Sequence, residues 1–143
     1  MGTRADFYVG RGASAEWIGS IAWDGYPVGI TTKADKPIIL AATTEADYRE
    51  QLARFLAERT DATLPARGWP WPWNDSGTTD YAYAFDDGKV YASCFRSPWW
   101  VATDEQPDDP DEIAGPRPVF PQMKTDHAAP AGDGRSGIMV FGV

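Results

Sequence analysis

Two stretches near the N-terminus have the residue pattern of β-strands. Residues 4–9 are rich in aromatic and β-branched side chains and are followed by Gly10-Arg11-Gly12. Residues 16–23 alternate with a period of two and stop at Asp24-Gly25-Tyr26-Pro27. One predicted face of this second strand holds Trp17, Gly19, Ile21 and Trp23, and the other holds Ile18, Ser20 and Ala22.

A helical period replaces the strand pattern between residues 44 and 59. Thr44 and Asp47 stand three residues apart, as in a capping box, and predict where the helix begins. The apolar positions that follow recur at helical spacing: Tyr48, Leu52, Phe55 and Leu56. We therefore predict one amphipathic helix that covers the core with this apolar stripe.

The clearest strand signal is a hairpin over residues 80–95. Asp87-Gly88 suits a two-residue type I′ turn, and this turn sets the register of the two strands. The predicted pairs are Phe85 with Val90, Tyr83 with Ala92, Tyr81 with Cys94 and Asp86 with Lys89. A last strand is predicted over residues 138–141.

Together these elements predict a single α+β domain over residues 1–143. We expect one twisted, mainly antiparallel sheet of about five strands, with the amphipathic helix packed on one face. Residues 96–135 are rich in proline and show neither strand nor helix periodicity. We therefore expect a long irregular connection there, a feature that tends to be functional or mobile.

Residues 68–75 interleave tryptophan with proline in the sequence GWPWPWND. Because proline fixes φ at about −65° and has no backbone N–H, this stretch cannot form a helix or a central strand. We expect a stiff, extended ribbon that carries three large rings. The ribbon is either a loop clamped over a core too small to close by itself or a preformed recognition surface, since rigid rings lose little entropy on binding.

The net charge of −8 is concentrated in one segment. Residues 104–112 carry six acids and no base, and two prolines interrupt them. Such a run is typical of a solvated loop, and the alternative is an acidic arm that docks on a basic partner. Because no basic patch emerges elsewhere, the sequence disfavours binding to double-stranded nucleic acid.

The chain is long enough and apolar enough to form a hydrophobic core. Its 143 residues are 43% apolar, and no apolar run approaches the roughly 18 residues that a membrane span requires. The first residues lack the basic and apolar regions of a signal peptide. We expect a cytoplasmic protein with no membrane partner.

No motif in the chain carries a recognisable catalytic or metal-binding pattern. The single histidine, His127, has no serine in a nucleophile-elbow context with which to form a triad. The single cysteine, Cys94, falls in a predicted strand, where a small buried thiol is typical. We expect no catalytic residue, no metal site and no cofactor, so the sequence favours a binding protein over an enzyme.

The candidate binding residues are the rings in the middle of the chain and one arginine. They are Trp69, Trp71, Trp73, Tyr81, Tyr83, Trp99, Trp100 and Arg11. Because Trp, Tyr and Arg dominate interaction hot spots, this set favours a protein partner. In the alternative, the chain binds or processes a small nucleotide-like ligand, with Arg11 on its phosphate. The base of that ligand would stack on the ring of Trp17, Trp23, Trp71 or Tyr83.

Five blocks of the sequence are distinctive: MGTRADFYVG at 1–10, WIGSIAWDGYP at 17–27, GWPWPW at 68–73, TDYAYAF at 79–85 and SGIMVFG at 136–142. These blocks resemble a family of small bacteriophage and prophage proteins that has no established activity. No functional residue carries over from such a family. The resemblance implies a small phage accessory protein that acts on host machinery, for example as an inhibitor of antiviral defence, in the host cytoplasm.

Overall fold

The regular structure of the described residues is α+β, as predicted. The structure is a computed structural model, and it describes residues 2–30, 39–104, 106–107 and 115–122. The elements are β1 (Ala5–Val9), β2 (Glu16–Ile21), α1 (Glu45–Ala57), β3 (Ala62–Thr63), β4 (Tyr81–Asp86), β5 (Lys89–Cys94) and β6 (Trp100–Val101). The predicted strand 138–141, His127 and most of the acidic segment 104–112 lie outside the described residues.

The strands form one mixed sheet in the order β3-β2-β1-β4-β5-β6. Four of the five strand pairs are antiparallel, and β1 pairs with β4 in parallel. The prediction of about five strands is wrong, because the described residues contain six. The two edge strands, β3 and β6, have two residues each and are too short to show a period in the sequence. The second of them, Trp100–Val101, lies inside the 96–135 region that was predicted to be irregular.

The predicted helix is confirmed and packs on one face of the sheet. The Thr44 hydroxyl accepts a hydrogen bond from the backbone N–H of Asp47 at 3.1 Å and so caps the first turn. The buried side chains of α1 are the predicted stripe: Tyr48, Leu52, Phe55 and Leu56. Phe55 meets Phe7 of β1 edge to face, with ring centroids 6.1 Å apart. The apolar stripe therefore fixes α1 over the central strands.

The predicted hairpin is confirmed at every position. Its register pairs Tyr81 with Cys94, Tyr83 with Ala92, Phe85 with Val90 and Asp86 with Lys89. Asp87 and Gly88 have φ angles of 51° and 76°, as a type I′ turn requires. The register is the one that a two-residue turn at Asp87-Gly88 requires.

A β-bulge in β2 changes the face on which Trp17 lies. The pairing of β2 with β1 skips Ile18, which therefore has no partner residue in β1. The extra residue reverses the alternation of side chains, so Trp17 lies on the face of Ser20 and donates to it at 3.0 Å. The prediction that Trp17 shares a face with Gly19 and Ile21 is wrong for this reason.

Irregular segments rather than a second helix cover the other face of the sheet. They are residues 68–79, called here the Trp–Pro ribbon, and residues 115–122. The buried side chains of this second core are Tyr8, Trp17, Trp69, Ala82, Ala84 and Phe120. Strand β1 is buried on both faces as a result, with α1 on one side and the ribbon on the other.

The described residues include a single α-helix of 13 residues. Within these residues, no helix has both the length and the apolar character that a membrane crossing would need.

Gly25 lies where the chain passes closest to the start of β1. A Cβ atom at this position would come within 2.8 Å of the Thr3 carbonyl oxygen and of the Arg4 carbonyl carbon. Because these are backbone atoms, the chain itself must shift, and we expect Gly25→Ala to lower the free energy of unfolding by about 1–3 kcal/mol. Urea unfolding measures this change, and a loss below about 0.5 kcal/mol would contradict the close approach.

Candidate functional site

A buried carboxyl group joins the sheet to the Trp–Pro ribbon. Asp6 of β1 has no exposed surface, and both of its carboxyl oxygens accept hydrogen bonds. Oδ1 accepts from the Ser20 hydroxyl at 2.6 Å and from the Trp71 indole N–H at 2.8 Å, and Oδ2 accepts from the Ser76 hydroxyl at 2.5 Å. Asp6 therefore holds β2 and two points of the ribbon at once.

Two further side chains extend this network in opposite directions. Trp17 donates from Nε1 to the Ser20 hydroxyl, and the Tyr8 hydroxyl lies 2.5 Å from the Ser76 hydroxyl. When Asp6 is ionised, Ser76 gives its single hydroxyl proton to the carboxylate, and Tyr8 is then the donor to Ser76. All donors thus converge on one carboxyl group.

Burial is the largest influence on the pKa values of the ionisable groups in this network. Desolvation raises the pKa of Asp6 above its ordinary value, against the opposing effect of the hydrogen bonds from Ser20, Ser76 and Trp71. Burial also raises the pKa of Tyr8, and the charge of Asp6 adds to this effect. Asp6 is enclosed by its own donors, which makes it a structural group rather than one that can reach a substrate.

The three ribbon tryptophans differ in how far they are exposed. Trp69 is buried at 7% exposure and packs edge on against Trp17. Trp71 and Trp73 are half-buried and stack on each other, with ring centroids 6.0 Å apart and planes inclined by 18°. The Arg4 guanidinium carbon lies 5.6 Å from the Trp71 ring centroid and 4.9 Å from that of Trp73. Arg4, Trp71 and Trp73 are called here the Trp–Arg surface.

A strained turn lies at the same end of the sheet. Phe95 and Arg96 follow β5 and have φ angles of 49° and 65°. The left-handed region costs a residue with a Cβ atom roughly 1–2 kcal/mol. Asp80 connects this turn to the Trp–Arg surface, because its carbonyl accepts from the Phe95 N–H and its carboxylate accepts from the Arg4 N–H.

The structure divides the predicted binding residues between the two faces of the sheet. Those on the ribbon side are Trp69, Trp71, Trp73 and Trp99, and those in the core under α1 are Tyr81, Tyr83 and Trp100. The Tyr83 hydroxyl donates to the Gly25 carbonyl at 2.7 Å inside that core. The predicted residues therefore do not form one continuous surface.

Arg11 lies at the opposite end of the sheet, beyond the last residue of β1. Its Nε donates to the Asp86 carboxylate at 2.9 Å, and its guanidinium carbon lies 3.8 Å from the centroid of the Tyr91 ring. Both the charge and the flat face of Arg11 are thus engaged within the chain. Of the rings predicted to stack on a nucleotide base, Trp17 and Tyr83 are buried, and Trp23 is 47% exposed.

A shallow depression also lies at this opposite end, with a volume of about 310 Å³. The hairpin turn and the segment that follows Leu40 line it, with Lys89 and Asp104 as its charged groups. Its volume is at the lower limit for a small-molecule site. The described residues that line it include no aromatic ring on which a base could stack.

Cys94 is half-buried and lies on the face that packs under α1. Burial raises the pKa of its thiol, and the charge of Asp80 adds to the effect although Tyr81 opposes it. A raised pKa keeps the group protonated at neutral pH and makes it a poor nucleophile.

The hydrogen-bonded network was not predicted from the sequence. Asp6 does carry one signal, since it is the only charged residue in a five-residue strand that otherwise contains Ala, Phe, Tyr and Val. Ser20 and Ser76 carry no comparable signal, because their partner lies 14 and 70 residues away along the chain.

The raised pKa of Asp6 predicts a specific dependence of stability on pH. Between its ordinary pKa of about 4 and its raised value, the unfolded chain has lost the Asp6 proton while the folded chain keeps it. Stability from this group is therefore present at low pH and lost as pH rises. We expect the stability difference between the wild type and Asp6→Asn to shrink from pH 4 to pH 7, by about 1.4 kcal/mol for each pH unit that separates the folded pKa from the unfolded one. Chemical unfolding across this range tests it, and a constant or growing difference would contradict it.

Comparisons of the chain with protein-family models, with curated proteins and with solved structures find no match. The resemblance to phage and prophage proteins therefore stays a prediction.

Proposed function

We propose that this chain is a non-enzymatic binding protein that captures a protein partner through the Trp–Arg surface. The observation that carries the proposal is the Trp71–Trp73 stack, which stays partly exposed although Trp71 is hydrogen-bonded to buried Asp6. A fold that only needed to cover its core would bury these rings as it buries Trp69.

The anchoring of the rings suits them to binding. Trp71 is held by its indole N–H, and Trp73 is held by the ring of Trp71 and by Arg4. Because the rings are already fixed, a partner that covers them loses little additional ordering entropy. Trp and Arg are also among the side chains most enriched at interaction hot spots.

The class of partner follows from the resemblance described above. A small accessory protein of a phage acts on the cell that the phage infects, so we propose a host protein as the partner. Inhibition of host antiviral defence is one form that such an interaction takes. The sequence offers no catalytic constellation, and capture of the partner is therefore proposed as the activity itself.

A small nucleotide-like ligand is the alternative function. It would have to use the depression beside Lys89 or the ring faces of Trp71 and Trp73. Intrinsic tryptophan fluorescence and melting temperature, measured against a panel of nucleotides, test this alternative directly. Saturation at 100 times the dissociation constant would stabilise the protein by about 2.7 kcal/mol, which a melting curve detects easily.

We expect different effects on binding from truncating half-buried Trp73, which belongs to the Trp–Arg surface, and exposed Trp23, which does not. We expect Trp73→Ala to weaken partner capture by at least about 30-fold, which corresponds to roughly 2 kcal/mol. Trp23→Ala is the matched control, because it removes an exposed ring two residues after β2 that does not belong to the Trp–Arg surface. Affinity is measured by titration after pull-down from a bacterial host lysate, and the melting temperature of each variant is recorded.

The outcome distinguishes a binding surface from a clamp. Loss of capture with a Tm reduced by no more than about 5 °C supports the proposal. Equal binding by the Trp73→Ala variant and the wild type contradicts it. Trp71→Ala is not a clean probe, since it also leaves the buried Asp6 carboxyl with one donor fewer.

A further inference from the structure

Two turns with closely similar φ angles have very different sequences. Asp87-Gly88 has φ angles of 51° and 76°, and Phe95-Arg96 has φ angles of 49° and 65°. Asp and Gly are among the residues that this left-handed geometry favours, whereas Phe and Arg are not. The second turn therefore keeps two side chains at a conformational cost that Asn-Gly would avoid.

Hydrogen bonds around Ser97 hold the strained turn in place. The Ser97 N–H donates to the Cys94 carbonyl at 3.0 Å, which closes the turn. The buried Ser97 hydroxyl accepts from the Cys94 N–H at 3.2 Å, and the Ser97 carbonyl accepts from the Ser93 hydroxyl at 2.7 Å. Such surroundings over-determine the backbone, which is the condition under which strain persists at functional sites.

The turn presents an apolar ring beside a cation. Phe95 is 59% exposed. Among the large apolar side chains of the described residues, Phe95 and Val119 have the highest exposure. The Arg96 guanidinium packs against Gly77, where a Cβ atom would come within 3.0 Å of its Nη1. Its side chain has no ion pair or hydrogen bond to any other described residue.

We propose that the Phe95–Arg96 turn docks into an apolar pocket bordered by Asp or Glu carboxylates on the protein partner. This inference rests on the proposed function and names the chemistry that the partner must offer. Phe95 would fill the pocket, and the planar guanidinium of Arg96 would pair with a carboxylate bidentately. An exposed ring on an outward turn fits a cavity in another protein rather than enclosing a small ligand.

Replacing both residues of the Phe95–Arg96 turn should give a protein that is more stable but no longer binds the partner. Phe95→Asn with Arg96→Gly gives the turn residues that its backbone favours, so we expect Tm to rise by about 5 °C. The same double variant should lose partner capture by at least about 30-fold. Asp87→Asn is the control, because it changes a turn with similar φ angles whose residues already suit that backbone, and it should leave affinity unchanged.

The chemistry of the partner is tested by cross-linking and charge exchange. With p-benzoylphenylalanine in place of Phe95, irradiation in host lysate should cross-link the partner at an apolar pocket that contains Asp or Glu. Arg96→Glu should weaken affinity for the partner by at least about 30-fold. Replacing the Asp or Glu of the partner's pocket by Arg should restore the affinity of the Arg96→Glu variant. Arg67→Glu is the matched control, since it makes the same charge change at an exposed position on the 3-10 turn Pro65–Arg67.

The two proposals fail differently. If Trp73→Ala loses capture while the double variant of the turn binds like the wild type, the role of the turn is overturned and the proposed function stands. A cross-linked site without a carboxylate, or no restoration by charge exchange, also overturns the role of the turn. A wild-type chain that captures no host protein contradicts both proposals.

Discussion

The buried carboxyl group of Asp6 is the interaction on which the arrangement of the Trp–Pro ribbon depends. The ribbon has few backbone hydrogen bonds of its own, so its position is set by side chains. Asp6 accepts from Trp71 and Ser76 of the ribbon and from Ser20 of β2, which ties three separate parts of the chain together. Removing the Ser76 hydroxyl would take away the hydrogen bond to the buried Oδ2 of Asp6, and a buried polar group left unpaired costs about 1–3 kcal/mol. A fully satisfied network of this kind fixes a single arrangement, whereas a partly satisfied one weakens it.

This anchoring explains how one segment can close a core and present a surface. Trp69 fills the core against Trp17, and the next tryptophan along the ribbon, Trp71, turns its N–H inward and leaves part of its ring outside. Trp73 extends the stack outward, under the guanidinium of Arg4. The clamp and the recognition surface are therefore two faces of one ribbon. The proposed binding role uses the rings that the clamp leaves accessible.

The features predicted correctly from the sequence depend on residues close together in the chain. The register of the hairpin follows from Asp87-Gly88, and the start of α1 follows from Thr44. The features that were missed depend on distant contacts. The parallel pairing of β1 with β4 joins residues as far apart as Ala5 and Tyr81, and the face on which Trp17 lies depends on how β2 pairs with β1 across the bulge at Ile18. The candidate surface was predicted in part, because tryptophan and proline mark the ribbon, but Arg4 and Asp6 reach it only through the fold.

Hydrogen exchange of the indole N–H groups tests most directly whether Trp71 is held by its hydrogen bond to buried Asp6. In an assigned NMR spectrum, the Trp71 indole N–H should exchange with solvent at least about 100-fold more slowly than that of exposed Trp23, because its hydrogen bond must open before exchange. The same signal should lose this protection in Asp6→Ala while the hairpin amides keep theirs. Exchange of Trp71 at the rate of Trp23 in the wild-type protein would contradict the account.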